Sequence, residues 1–122
     1  MTELYDGQCH CGRVRFRVRG DLAKTVECNC SICEKKGFLH LIVPPSDFEL
    51  LSGEGELTTY QFNTNTAKHT FCRHCGVYPF YTPRSHPDKV DVNVRCLVGV
   101  ELGRLTPSPF DGQNWEATMG RG

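Results

Sequence analysis

Seven of the eight cysteines fall into three tight clusters, and this arrangement constrains the fold more than any other feature of the chain. Cys9-His10-Cys11 is a Cys-x-Cys pair. Cys28-Asn29-Cys30-Ser31-Ile32-Cys33 is a Cys-x-Cys-x-x-Cys triplet. Cys72-Arg73-His74-Cys75 is a Cys-x-x-Cys pair followed by Gly76, and Cys96 stands alone. Disulfides between such near neighbours are strained. A tight turn can instead aim two or three sulfurs at one ion, about 2.3 Å from each, and a glycine after Cys75 suits such a turn. The opening residues Met1-Thr2-Glu3-Leu4-Tyr5-Asp6 carry neither the basic nor the apolar region of a secretion signal. The expectation is a reducing cytoplasm, where clustered cysteines serve metals rather than disulfides. One Cys-x-x-Cys alone fits a redox pair, but three clusters in 122 residues favour metal ligation.

Seven ligands divide naturally as four plus three. Thiolate-only sets suit zinc or an iron–sulfur cluster. Zinc fits both a closed set of four and a set of three with one open position. The triplet is compact enough to hold one ion by itself. The pairs Cys9/Cys11 and Cys72/Cys75 lie far apart in sequence. An ion shared between them would tie the N-terminal strand to the middle of the chain, a staple across a long loop.

Composition narrows the function classes. The length suits one domain over residues 1–122. Mean hydropathy is −0.40 and no apolar run approaches the roughly 20 residues of a membrane-spanning helix. Fourteen basic residues balance fourteen acidic ones, which argues against binding driven by nonspecific phosphate contacts. Arg13, Arg15, Arg17 and Arg19 do share one face of an alternating segment. Charges pairing across a solvated strand explain that stripe better than nucleic-acid binding.

Alternation in Arg13 to Arg19 predicts a half-buried strand with Val14, Phe16 and Val18 inward. Gly37 to Val43, ended by Pro44-Pro45, reads as a buried strand, and Asp47 to Leu51 as a short one. Leu57 to Asn63 and Ala67 to Phe71 flank Thr64-Asn65-Thr66 and read as a hairpin delivering Cys72. Val77 to Thr82 is a strand that Pro79 places at an edge, and Val90 to Val94 alternates again. Pro83 to Pro87 and Thr106 to Pro109 read as loops. A short helix is predicted around Gln113 to Met119, and a helical turn after Ser31. His10, His40, His69, His74 and His86 are candidate ligands or proton carriers, with ordinary surface or core roles the commoner case. Cys96 reads as a small buried hydrophobe or a further ligand. Lys35 and Lys36 read as solvated, with a substrate carboxylate as the alternative. Trp115 reads as a core plug, and Tyr78 and Tyr81 as weaker candidates for lining a pocket.

The segments Gly7 to Phe16, Cys28 to Cys33 and Thr70 to Val77 resemble the glutathione-dependent formaldehyde-activating enzyme and centromere protein V family. The likeness extends through Phe38 to Pro44, Thr58 to Thr64 and Phe80 to Ser85, covering the chain from about Gly7 to Trp115. The resemblance implies an all-β fold of packed antiparallel sheets, a zinc-stapled β-tent with at most one or two short helices. It implies two zinc ions, with Cys9, Cys11, Cys72 and Cys75 forming a structural site. Cys28, Cys30 and Cys33 would hold an active-site zinc with a fourth position for water or a substrate thiol. The implied activity is that of a carbon–sulfur lyase, joining glutathione to formaldehyde as S-hydroxymethylglutathione. Its partners would be a small thiol and an aldehyde, while hydropathy excludes a membrane span and the charge balance makes nucleic acid the least favoured partner. After the triplet, many members carry a small Gly-Ser element, whereas this chain reads Glu34-Lys35-Lys36-Gly37-Phe38-Leu39-His40, as in the centromere protein V-like branch. The alternative function is therefore a non-catalytic zinc-stapled binding module. Seven thiolates and two zinc ions would leave the neutral sequence with three net negative charges.

Overall fold

The computed structural model describes residues 2–61, 67–83 and 86–112. Ten strands, one α-helix and short 3-10 turns make up those residues. Strands β1 (Glu3–Gln8) and β2 (Arg15–Gly20) pair antiparallel, and β2 pairs in turn with β5 (Phe48–Ser52) to complete a three-stranded sheet. A second sheet has the order β10-β3-β4-β9-β8, from β3 (Val26–Cys28), β4 (Leu39–Val43), β8 (Phe80–Tyr81), β9 (Val90–Asn93) and β10 (Ser108–Phe110). The hairpin β6 (Leu57–Tyr60) and β7 (His69–Cys72) forms a third. Helix α1 (Ser31–Lys36) joins β3 to β4. The helical turn after Ser31 is thus present as α1, and the all-β expectation holds.

The alternation in β2 is realised as expected. Phe16 and Val18 are fully buried, while Arg15, Arg17 and Arg19 face solvent. Arg17 pairs with Asp6 at 2.9 Å, and Arg15 donates to the Gly12 carbonyl at 3.0 Å. The inward residues of β2 meet Leu39, Leu41 and Val43 of β4, Val92 of β9, and Val94 and Leu97 beyond it. This core lies between the two larger sheets. Phe16, Phe48 and Phe80 contact one another within it, with ring centroids 4.8–5.8 Å apart. Each such side chain contributes about 1.5–3 kcal/mol by leaving water.

Three expectations need adjustment. The segment Thr106 to Pro109 is not all loop: Ser108–Phe110 is strand β10, which pairs parallel with β3, so the sheets are mixed rather than purely antiparallel. Val77 to Thr82 supplies only the two-residue strand β8, which is an edge strand beside Pro79 as anticipated. Gly37 caps α1 in the left-handed region rather than opening β4. The expected helix at 113–119, Trp115 and the Thr64-Asn65-Thr66 turn lie outside the described residues.

Candidate metal centres

The chain brings its cysteines together as two groups. The sulfurs of Cys9, Cys11, Cys72 and Cys75 lie within 4.8 Å of one another, and so do those of Cys28, Cys30 and Cys33. All eight cysteines are free thiols rather than disulfides.

The first group is built from two similar turns. Cys9 follows β1, and its N–H donates to the Val14 carbonyl at 3.0 Å. Cys72 ends β7, and its N–H donates to the Val77 carbonyl at 3.0 Å. Each turn closes over a glycine of positive φ, Gly12 at 82° and Gly76 at 76°, directly after the second cysteine. Glycine adopts that region without the Cβ penalty of other residues. The separations Cys9–Cys11 and Cys11–Cys72 are both 3.6 Å. Four sulfurs about 2.3 Å from a tetrahedral zinc would lie about 3.8 Å apart, so the spacing fits such an ion. Cys9 and Cys72 are buried with Val14, in a small cluster that also packs Leu50, Leu57, Val77 and Phe80.

The electrostatics of this group are uneven. Cys11 is pulled down to about 6, chiefly because the Arg13 N–H donates to its sulfur. Burial pushes Cys72 up to about 11. Burial also raises Cys75, but N–H groups of Val77 and Cys11 outweigh it and the net direction is down.

The second group comes from one continuous stretch. Strand β3 delivers Cys28, Cys30 is the N-cap of α1, and Cys33 lies in the first turn. Backbone groups hold the sulfurs in place: Cys30 N–H donates to Cys28 Sγ at 3.4 Å, and Cys33 N–H to Cys30 Sγ at 3.3 Å. With Cys28 and then Cys33 donating to its sulfur, Cys30 is held far below the usual thiol range. Cys28 and Cys33 move up as its partners. Only Cys33 is buried, and Cys28 and Cys30 are half-buried.

Strand β10 covers this group from one side. Phe110 accepts from the Asn29 N–H at 3.3 Å, and Asp111 Oδ1 from Asn29 Nδ2 at 3.2 Å. Gly112 then passes so close that a Cβ there would lie 2.5 Å from Cys28 Sγ and 2.7 Å from Cys30 Cβ. Only glycine fits that approach.

Beside the triplet lies a buried polar face. Alternation along β4 sends Leu39 and Leu41 into the core and His40 to the opposite side of the sheet. In β9 it separates Val92 from Asp91 and Asn93. His40 Nδ1 lies 2.6 Å from Asp91 Oδ2, with both residues buried. The Tyr81 ring packs edge-on to Phe38 and stacks on His69 at 4.9 Å. Lys36, from the last turn of α1, reaches this face with its Nζ 3.2 Å from His69 Nδ1. It also sits 4.6, 4.7 and 4.2 Å from the ring centres of Phe38, Tyr78 and Tyr81. Burial pushes the Lys36 ammonium down, while the negative charges of Cys33, Asp91, Cys30 and Cys28 oppose that shift.

Several sequence expectations are thereby settled in place. Lys36 is not a solvated lysine, because three aromatic rings enclose its ammonium. His40 pairs with Asp91, His69 with Lys36, and the exposed His74 with Glu56. His10 and His86 are exposed. Cys96 belongs to neither group. It is half-buried, its Sγ 3.7 Å from the Tyr78 carbonyl, and burial pushes it up to about 12. Asp91 and Gly112 escape a reading of motifs, whereas Lys36 and Tyr81 are only minor candidates in it. The Val-Asp-Val-Asn alternation of β9 is the one signal that marks Asp91, a carboxylate on a strand otherwise rich in buried residues.

A sequence profile described as glutathione-dependent formaldehyde-activating enzyme matches residues 4–109. The chain belongs to the glutathione-dependent formaldehyde-activating enzyme family. The crystal structure of a Rhodobacter sphaeroides protein, a structural-genomics target, is 40% identical and superimposes with a TM-score of 0.79. The match covers 85% of this chain and 97% of that one. The two cysteine groups are compatible with metal binding in this family member. Among the described residues, no helix is long and apolar enough to cross a membrane.

Proposed function

We propose that this chain is a zinc-dependent carbon–sulfur lyase that joins a small thiol of the glutathione type to an aldehyde, formaldehyde being the family's substrate. The observation that carries this reading is the contrast in ligand number. Cys28, Cys30 and Cys33 offer three sulfurs where Cys9, Cys11, Cys72 and Cys75 offer four. Four thiolates close a tetrahedral zinc, whereas three leave one position for an exogenous ligand. A zinc ion held by the triplet supplies a site at which an incoming thiol, with an ordinary pKa of about 8.5, is kept as its thiolate. The chain's own residues fix that site. Backbone N–H groups at the start of α1 orient Cys28 and Cys30, and Gly112 shields the triplet on the β10 side. The first centre acts as a structural zinc. Both centres need reduced thiols, which fits a cytoplasmic protein.

The addition also proceeds without a protein, so the test compares rates. Exchange NMR on glutathione and formaldehyde measures adduct turnover with zinc-loaded wild type and with Cys30→Ser. Acceleration by wild type that is lost in Cys30→Ser supports the enzyme. Equal rates for wild type, the variant and buffer overturn it, and leave the zinc-stapled binding module as the function.

A further inference from the structure

We propose that the Lys36 ammonium is the oxyanion-binding group of the three-cysteine centre, hydrogen-bonding the aldehyde oxygen as it gains negative charge. The inference rests on the reading above and adds a residue to its chemistry.

Position is the first argument. Cys33 and Lys36 are one turn apart on α1, on the same side of the helix, where side chains lie about 5–6 Å apart at Cβ. The second argument is confinement. Phe38, Tyr78 and Tyr81 surround Nζ at 4.2–4.7 Å, and cations are attracted to such ring faces. His69 Nδ1 lies 3.2 Å away and adds a polar contact that holds the ammonium in place. A long side chain normally free to move is thus held in one place, as a preorganised donor must be. The third argument is charge. Asp91 is buried on the same sheet face and paired with His40, and among the described residues no partner reaches its Oδ1 or His40 Nε2. The Asp91 carboxylate works against the burial that pushes the Lys36 ammonium down.

The step balances without a further reactant. The sulfur–carbon bond forms, the carbonyl π pair moves onto oxygen, and the proton lost by the thiol ends on that oxygen. Nothing is oxidised or reduced. Lys36 stabilises the oxygen while its charge is greatest and leaves the step unchanged.

An ammonium can equally hold a substrate carboxylate, and the test separates the two. Zinc-loaded wild type, Lys36→Met and Lys36→Arg are compared by exchange NMR with glutathione and with 2-mercaptoethanol, which has no carboxylate. Zinc content and melting temperature are measured in parallel. Methionine suits the aromatic enclosure, so Lys36→Met is expected to fold and to keep two zinc ions. The expected result is a fall in kcat of roughly 100-fold for Lys36→Met with both thiols, the size seen on losing one oxyanion donor. KM changes little, and Lys36→Arg recovers part of the rate. A loss confined to the KM for glutathione, absent with 2-mercaptoethanol, overturns the inference in favour of a carboxylate contact. Full kcat in Lys36→Met overturns it outright. If wild type itself gives no acceleration, the enzyme reading fails. The Lys36 ¹⁵Nζ resonance then still decides the contact: a shift on adding 2-mercaptoethanol with formaldehyde, but not the thiol alone, supports it, and no shift overturns it.

Discussion

The two cysteine centres differ in how the chain reaches them, and on the proposed function the difference separates a staple from a reaction site. The four-cysteine centre joins segments 61 residues apart, Cys11 to Cys72. Its two turns repeat the same backbone bond, and Cys9 and Cys72 are part of a packed apolar cluster. The three-cysteine centre is local, wound around the start of a six-residue helix, and two of its sulfurs stay half-exposed. On the proposed function, metal in the first centre would close a long loop and stabilise the fold. Metal in the second would organise a few residues beside a polar face, and its loss would leave the sheets folded.

The largest effect should come from breaking the staple. On the proposed function, Cys72→Ser would remove a buried ligand from a site where metal binding is coupled to folding. The expected outcome is loss of cooperative thermal unfolding, read by circular dichroism. Cys30→Ser should instead keep the melting transition within a few degrees and lower the zinc content from two ions to one. If both variants unfold alike, the distinction between staple and site fails.

Next in size is Gly112→Ala. The added Cβ would press on Cys28 Sγ and Cys30 Cβ, while the first centre is untouched. Zinc affinity at the triplet should fall roughly 10–100-fold, the usual cost of disturbing a ligand's support. Competition with a chromophoric chelator measures this. Unchanged affinity at the triplet would show that β10 does not constrain it.

Much of this comparison is legible in the sequence, for physical reasons that can be named. Cysteine spacing encodes the turns, because Cys-x-Cys and Cys-x-x-Cys followed by glycine leave few other geometries. Alternation encodes β2, since Phe16 and Val18 must face the core together. Strand β10 stays hidden because Pro107, Ser108 and Pro109 look like loop, and because three residues pairing parallel with β3 carry no periodicity of their own. The enclosure of Lys36 is hidden for a different reason. Phe38, His69 and the segment that carries Tyr78 and Tyr81 are separate stretches of chain, and only the packing of sheet, helix and hairpin brings them to one ammonium.

The smallest effect is expected at Cys96, which lies outside both centres. Cys96→Ala should cost about 1 kcal/mol, as an ordinary truncation does, and leave two zinc ions bound. Burial holds this thiol far above its usual range. It should therefore resist alkylation at pH 8 in the folded, zinc-loaded protein, and mass spectrometry reads both results. Loss of an ion from Cys96→Ala would make it a ligand.

X-ray absorption at the zinc edge tests the central contrast most directly. With two ions bound, a closed centre of four sulfurs and an open one of three give an average of about 3.5 sulfurs per zinc, rising to about 4 when glutathione is added. An average of four before any thiol is added, unchanged afterwards, would contradict the account, because the second centre would then already be closed by the protein.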